Sequence, residues 1–521
     1  MARRAVAIGP VRLAGWLALG LVAALVGGTL LLVALRAEGA AGLGRADWAA
    51  IRFTLLQAGL SAAISTGLAV PLARALSRRR FRGRRLIVTL MGAPFILPVI
   101  VAVLGLLAIF GRSGLLNMAL GAAGLAPVSV YGLWGVVLAH VFFNLPLATR
   151  LILQGWQAIP AEQFRLAAGL GFCARDVRRW IEAPMLRAVL PGVALVIFLV
   201  CLTSFAVVLT MGGGPRATTI ELAIYQAVRL DFDLGRAALL ALVQLGLGGA
   251  AALMALRLGL PEAGFGAGLD RSERRWEARH LGLRLWDAAL IVAAALFLLL
   301  PLGAVVWRGL AGMAVLPPEV WRAALRSVLV ALGATGLTVT LALSIAAFAV
   351  LARAPVAGFV GLAGLAASPM VIGTGLFLAL YPLVDPGRVA LVVTGVVNAL
   401  MALPFALRAL LPALAAIEAD YGRLADALGM TVRARLRLLW LPRLRRPLGF
   451  AAGLAAALSM GDLGVVALFA APDQATLPLQ MYRLMGAYRM QAAAAAGLLL
   501  LALSLGLFWI FDRGGGVDAD T

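Results

Sequence analysis

Lysine is absent from this 521-residue chain, and all 45 of its basic residues are arginine. A P-loop needs a lysine on the nucleotide phosphates and a pyridoxal enzyme needs one for its Schiff base, so neither chemistry resides here. Charge is scarce too, at 13% of residues against about 25% in soluble domains. Cysteine is limited to Cys173 and Cys201, without a CxxC pair, which suggests neither a disulfide framework nor a thiolate metal site. His140 and His280 stand alone and neither is read as a ligand. No cofactor or metal is expected on the chain, and no catalytic cluster of the kind a membrane enzyme would need is visible.

What fills the chain is apolar sequence: 63% of residues are hydrophobic and the mean hydropathy is +1.00. Runs long enough to cross a bilayer fall at about 11–35, 54–76, 86–110, 131–153, 188–211 and 236–260. A second set follows at about 286–307, 324–351, 359–383, 389–411, 447–470 and 490–511. They predict an all-α polytopic membrane protein of about twelve transmembrane helices, with the lipid bilayer as its solvent. Ala, Leu and Gly dominate the runs, and small residues let helices approach closely in lipid. The first run follows Arg3 and Arg4 as a signal peptide would, but its length of about 25 residues exceeds the roughly 7–15 of a signal's apolar region, so it reads as a retained span.

Arginine placement orients these spans. With the N-terminus inside, connections 1–12, 77–85, 154–187, 261–285, 352–357, 412–446 and 512–521 carry 28 arginines and the opposite connections 11. The positive-inside rule then puts both termini in the cytoplasm. The cluster SRRRFRGRR at 77–85 and the net charge of +22 are accounted for by that topology, so no nucleic-acid partner is inferred.

The only long polar interval near the midpoint, 261–285, reads as a cytoplasmic linker between a first half at 1–260 and a second at 286–521. The halves are related. At a shift of 258 residues LPLATR at 145–150 lies over LPFALR at 403–408, Ile159 falls on Ile417, Arg165 on Arg423, Gly171 on Gly429 and Pro184 on Pro442. One register holds for about seventy residues, and Pro98 answers Pro369 less tightly. Two six-span units that both start inside imply a parallel pseudo-twofold about the membrane normal, which encloses a central pathway.

The best repeat match is a charged segment, IPAEQFRLAAGLGFCARDVRRWIEAP at 159–184 and IEADYGRLADALGMTVRARLRLLWLP at 417–442. Each opens as a short amphipathic helix, with Pro160 fitting the start of the first and Gly171 or Gly429 the end. After either glycine come nine residues, then Ile181-Glu182-Ala183-Pro184 or Leu439-Trp440-Leu441-Pro442. A single such segment would fit a basic helix lying on anionic lipid; two in one register, with the same spacing to proline, do not ask for lipid. The spacing resembles the EAA motif of binding-protein-dependent ABC importer permeases. That resemblance implies the type I ABC importer permease fold, with both permease halves fused. It also implies two copies of an ABC ATPase subunit docked on the paired segments, with ATP and magnesium on that partner. The docking residues would be Glu162, Arg165, Ala167, Gly171 and Pro184, and in the second copy Asp420, Arg423, Ala425, Gly429 and Pro442. The chain departs from the motif at its leading glutamate, six residues before the glycine: Arg165 and Arg423 stand there, with acidic residues displaced to Glu162 and Asp420.

A narrower resemblance lies in TSFAVVLTMGGGPRATTIELAIYQAVRLDFDLGRAALLAL at 203–242, AHVFFNLPLATRL at 139–151 and SMGDLGVVALF at 459–469, which are similar to thiamine importer permeases. It implies that the substrate is thiamine, with its phosphate esters, delivered by a periplasmic thiamine-binding protein across a bacterial inner membrane. The competing readings are the same machine for ferric iron or another small cation, and a major-facilitator secondary transporter. The latter would need neither ATPase nor binding protein and predicts no paired docking segment.

Asp462 stands inside the eleventh span, where a carboxylate costs at least about 2.5 kcal/mol and therefore faces a cavity or a partner. Two readings stand: it meets the fixed thiazolium charge of thiamine, or it bonds to Ser459 or to backbone. Ser204 is its register-mate, placing a hydroxyl opposite the anion across the pseudo-twofold. Phe205, Tyr225 and Tyr482 either stack on the rings of the solute or anchor the chain at the interface. The turn Gly212-Gly213-Gly214-Pro215 either shapes an external gate or merely joins two helices, and Glu221, Asp231 and Asp233 beyond it read as solvated loop charges or a rim for a cationic solute.

The orientation is testable with reporter fusions. Fusions after residues 82, 270 and 435 are expected to report cytoplasm, and those after 222 and 480 periplasm; a periplasmic signal at 270 would remove the arrangement of two six-span halves.

Overall fold

In a computed structural model, residues 9–38, 42–92, 96–258, 275–276, 280–354 and 368–515 are described. They form helices, with no strand among them, as the hydropathy predicts. Eleven of these helices are long and apolar enough to cross a membrane. The twelfth expected span, 359–383, lies partly outside the described residues, and its described part is the 12-residue apolar helix Pro369–Leu380. Arg3 and Arg4 lie outside them too, as does most of the linker at 261–285 apart from Arg275, Trp276 and the residues from His280 onward.

The N-terminal copy of the repeat contains α1 Gly9–Ala37, α2 Arg45–Arg78, α3 Val99–Phe110, α4 Leu133–Ala158, α5 Ala161–Gly169, α6 Ala183–Leu202, α7 Ala206–Met211, α8 Ile220–Arg229 and α9 Leu234–Leu258. The C-terminal copy contains α10 Leu281–Gly312, α11 Pro318–Ala352, α12 Pro369–Leu380, α13 Pro386–Ala427, α14 Arg445–Met460, α15 Gly464–Phe469, α16 Leu477–Gly486 and α17 Met490–Gly515. The 258-residue offset persists through α7 and α15 and then becomes 257, because the Gly212-Gly213-Gly214-Pro215 turn is matched by the shorter Ala470-Ala471-Pro472. The extra residue is accommodated by left-handed backbone at Gly213 and Gly214, with φ of 75° and 127°. Beyond the turn Tyr225 therefore answers Tyr482.

Each copy is built around a tightly packed helix pair, α2 on α4 and α11 on α13. The first helix of each copy crosses to the other: α1 packs on α11 and α12, and α10 packs on α2 and α3. Lipid supplies no hydrophobic drive for such contacts, so close backbone approach has to supply the attraction. It occurs at one glycine in the third span of each copy. A Cβ on Gly105 of α3 would stand 2.5 Å from the carbonyl oxygen of Pro301 in α10, and one on Gly375 of α12 would stand 2.5 Å from Cβ of Thr29 in α1.

Overpacking at such a site costs about 1–3 kcal/mol. Gly105→Leu and Gly375→Leu are expected to lower the midpoint of thermal unfolding of the detergent-solubilised protein. Gly303→Leu is the control: its Cβ meets nothing within 4 Å, and glycine is the poorer helix former, so it should leave the midpoint unchanged or raise it. Equal loss at all three positions would contradict the close-approach account.

Candidate functional site

The spans expected at 188–211 and 447–470 are each interrupted. α6 ends at Leu202 and α7 starts at Ala206, while α14 ends at Met460 and α15 starts at Gly464. The unwound residues, Thr203-Ser204-Phe205 and Gly461-Asp462-Leu463, occupy the same repeat positions. Hydrocarbon cannot satisfy the backbone groups freed by such a break, so a break is tolerated where it is buried in protein or lines a cavity. Here it lines one: a cavity of about 460 Å³ has Ser204, Phe205 and Asp462 on its wall, a volume within the range of small-molecule sites.

The backbone N–H groups of Gly464, Val465 and Val466 at the start of α15 lie near the Asp462 carboxylate, and its Oδ2 is buried without a hydrogen-bond partner. The Ser459 hydroxyl is not seen bonded to Asp462. Ser459 instead accepts a hydrogen bond from Asn398 Nδ2 at 3.0 Å. A carboxylate beside backbone amides and left unsatisfied at one oxygen presents negative potential where little solvent competes. Across the cavity, Ser204 Oγ lies 2.8 Å from Nε2 of buried His140, whose Nδ1 lies 3.2 Å from Ser61 Oγ. His140 and its register-mate Asn398 both line the cavity, so the histidine placed outside the chemistry on sequence grounds belongs to the wall. Tyr225 packs edge-on against Phe205 at 5.4 Å between ring centroids, and Tyr482 lies near Tyr225. Neither tyrosine is on the cavity wall; Tyr225 stands behind Phe205.

Glu221 corrects the solvated-loop reading. It is buried, lies on the cavity wall and accepts a hydrogen bond from Gln244 Nε2 at 3.0 Å. Burial, offset in part by hydrogen bonds with Ser368 and Gln244, pushes its carboxyl up to about 7. Asp231 and Asp233 do remain exposed, held by Arg236 through its side chain and its backbone N–H, each at 2.9 Å. Arg408, register-mate of Arg150, is a cation on the same wall.

The two charged segments share a fold in detail. In the first, Gly171 N–H donates to Ala168 O and Phe172 N–H to Ala167 O; in the second, Gly429 N–H donates to Asp426 O and Met430 N–H to Ala425 O. Both are Schellman closures around a left-handed glycine, with φ of 70° at Gly171 and 61° at Gly429. Each continues into one π-helical turn, Val177–Glu182 or Arg435–Trp440, before the broken span begins. The expectation of two short helices fails for the second copy: its segment is the end of the 42-residue α13. Pro160 removes an N–H and breaks the helix in the first copy, whereas Glu418 at the matching position lets it run on.

Ala167 and Ala425 are buried under these helices. Glu162, Arg165, Gly171 and Pro184, and likewise Asp420, Arg423, Gly429 and Pro442, are partly or fully exposed. Arg165 pairs with Glu162 at 3.1 Å on the open surface, a contact of little energetic weight. Sequence reasoning passed over the apolar partners of these charges. Leu166 and Leu170 are 65% and 64% exposed, and their register-mates Leu424 and Leu428 are 57% and 69% exposed. The i, i+4 leucine pair repeated at the 258-residue shift was the available signal.

No family model matches the chain. The thiamine transport system permease protein ThiP of Brucella abortus (strain 2308) is 41% identical over 517 residues, covering 96% of this chain and 94% of that one. The protein of the same description from Salmonella typhimurium is 43% identical over 485 residues, covering 91% and 90%. That from Escherichia coli (strain K12) is 42% identical over the same length and coverage. With that likeness running over nearly the full length of both chains, this chain belongs to the thiamine transport system permease family.

Proposed function

We propose that the chain is the inner-membrane permease subunit of an ATP-driven importer that carries thiamine, and its phosphate esters, from periplasm to cytoplasm. The observation that carries the reading is the placement of Asp462: a carboxylate with an unsatisfied oxygen, in a broken transmembrane helix, on the wall of the cavity between the two copies. An organic cation such as thiazolium would supply the missing charge, Ser204 a hydroxyl, and Phe205 an aromatic edge. Arg408 on the same wall offers a counter-charge to an ester phosphate. The relatives' descriptions speak of thiamine transport, so the ferric-iron and facilitator readings lose ground.

The division into halves at 1–260 and 286–521, joined by the linker, and a cytoplasmic location for both termini complete the reading. Two ATPase subunits, which bind and hydrolyse ATP-Mg, dock on the exposed leucines and flanking charges of 159–184 and 417–442, and a periplasmic thiamine-binding protein delivers the solute. In each copy one covalent path leads from docking helix through Schellman turn and π-turn into a 20-residue or 16-residue helix that ends at the cavity break. A push at the cytoplasmic end therefore arrives at Ser204 or Asp462. Closure of the ATPase pair would rock the two copies against each other and alternate the access of the cavity.

Two measurements check this. Proteoliposomes holding the permease with its ATPase are expected to accumulate labelled thiamine only with internal ATP and external binding protein; uptake without ATP would sink the importer reading. Open space surrounds both hinge glycines, so substitution there acts through backbone conformation alone. Val at Gly171 and Gly429 together should abolish ATPase association or coupled uptake with membrane insertion intact, while Asn, which tolerates the left-handed region, should retain most of it. Normal uptake in the double Val variant would refute docking at these turns.

A further inference from the structure

The two docking segments solve one electrostatic problem in two ways. Each buries a carboxylate that accepts from a tryptophan indole, with the partners exchanged between copies. In the second, Glu418 at the end of α13 accepts from Trp440 of the π-turn at 2.7 Å. In the first, the π-turn carries Glu182, 1% exposed, and it accepts from Trp156 at the end of α4 at 3.3 Å. Glu182 and Trp440 are register-mates. Such a carboxylate requires a cation close by.

The second segment carries that cation itself. Arg435, 2% exposed, bonds Glu418 at 3.1 Å and also bonds Asp426 in the last turn of the docking helix. It thereby fastens the docking helix to the base of the fifth span of its copy. In the first segment the matching position is Val177, fully buried and uncharged. Arg74 of α2 neutralises part of Glu182 at 2.9 Å but reaches no docking-helix residue among the bonds seen. The linker supplies the rest. Arg275, 6% exposed, bonds Glu182 at 2.5 Å and lays its guanidinium carbon 4.3 Å from the ring centroid of Phe164 on α5. Next to it, the Trp276 indole donates to Phe172 O, at the Schellman turn, at 3.2 Å.

We infer that Arg275 is a positioning residue: with Trp276 it clasps the first docking segment to its span, doing for that segment what Arg435 does for the second. The inference rests on the docking reading above. Its consequence is an asymmetry, because the stiffness of one ATPase contact depends on the linker and that of the other does not. Charge-assisted hydrogen bonds in buried settings are strong enough to shift a local opening equilibrium about tenfold.

The test uses the full-length protein in nanodiscs, with and without its ATPase, comparing wild type, Arg275→Ala and Arg275→Lys. Without ATPase, amide hydrogen exchange is expected to rise about tenfold across 161–173 in Arg275→Ala and to stay unchanged across 419–431, with Arg275→Lys between the two. With ATPase and loaded binding protein in proteoliposomes, uptake per ATP hydrolysed should fall several-fold in Arg275→Ala at matched membrane abundance. Arg275→Ala/Val177→Arg, which moves the cation to the position of Arg435, should recover part of both. Unchanged exchange in 161–173 overturns the clasp whatever the docking role. Raised exchange with unchanged coupling overturns the positioning role alone if the glycine variants still lose ATPase association, and takes the docking reading with it if they do not.

Discussion

A peptide group in hydrocarbon has no water to bond, so every departure from helix inside a bilayer must be sheltered by protein or face a cavity. The two breaks, at 203–205 and 461–463, are such departures, and the arrangement of the bundle follows from sheltering them. The first helix of each copy crosses to the other copy and packs through glycine contacts at Gly105 and Gly375. That interlocking brings the broken spans face to face around one cavity instead of leaving each against lipid. Asp462 and Ser204 occupy the breaks because a polar side chain there meets the cavity and not the acyl chains.

Symmetry governs the scaffold and lapses where charge is placed. Schellman turns, π-turns and exposed leucines repeat to the residue. The ionic groups do not: Asp462 answers Ser204, Glu221 answers Pro478, and the cation beside the carboxylate of the charged segment comes from the π-turn in one copy and from the linker in the other. On the proposed docking, backbone geometry has to match for two like subunits to sit on both segments, whereas a solute of one charge needs only one anion in the cavity. An asymmetric pathway within a symmetric frame satisfies both demands.

Much of the frame was legible in the sequence. Spans follow from hydropathy because lipid leaves little latitude, and the hinge glycines follow from their repeat and from the φ they must adopt. The breaks were not legible: Thr-Ser-Phe and Gly-Asp-Leu sit in apolar runs whose composition suits a continuous helix, and only tertiary shelter unwinds them. Glu221 looked like loop charge because it lies next to Asp231 and Asp233, yet α8 turns it inward to Gln244. The extension of α13 through the second docking helix hinges on Glu418 standing where the first copy has Pro160, a difference a spacing comparison passes over. Arg275 and Trp276 lie in a polar interval with no periodicity to mark them, and their contacts with Glu182 and Phe172 connect residues about a hundred positions apart.

The most direct test of the account is thiamine uptake by Asp462→Asn at matched membrane abundance and matched ATPase association. Asparagine keeps the size and an amide oxygen as acceptor while deleting the charge. If Asp462 meets the thiazolium in the cavity, apparent affinity should weaken several-fold, the scale of a partly desolvated charge pair worth more than about 1 kcal/mol. Unchanged affinity and rate would contradict the account, reducing Asp462 to a structural residue of the break and placing the cation elsewhere.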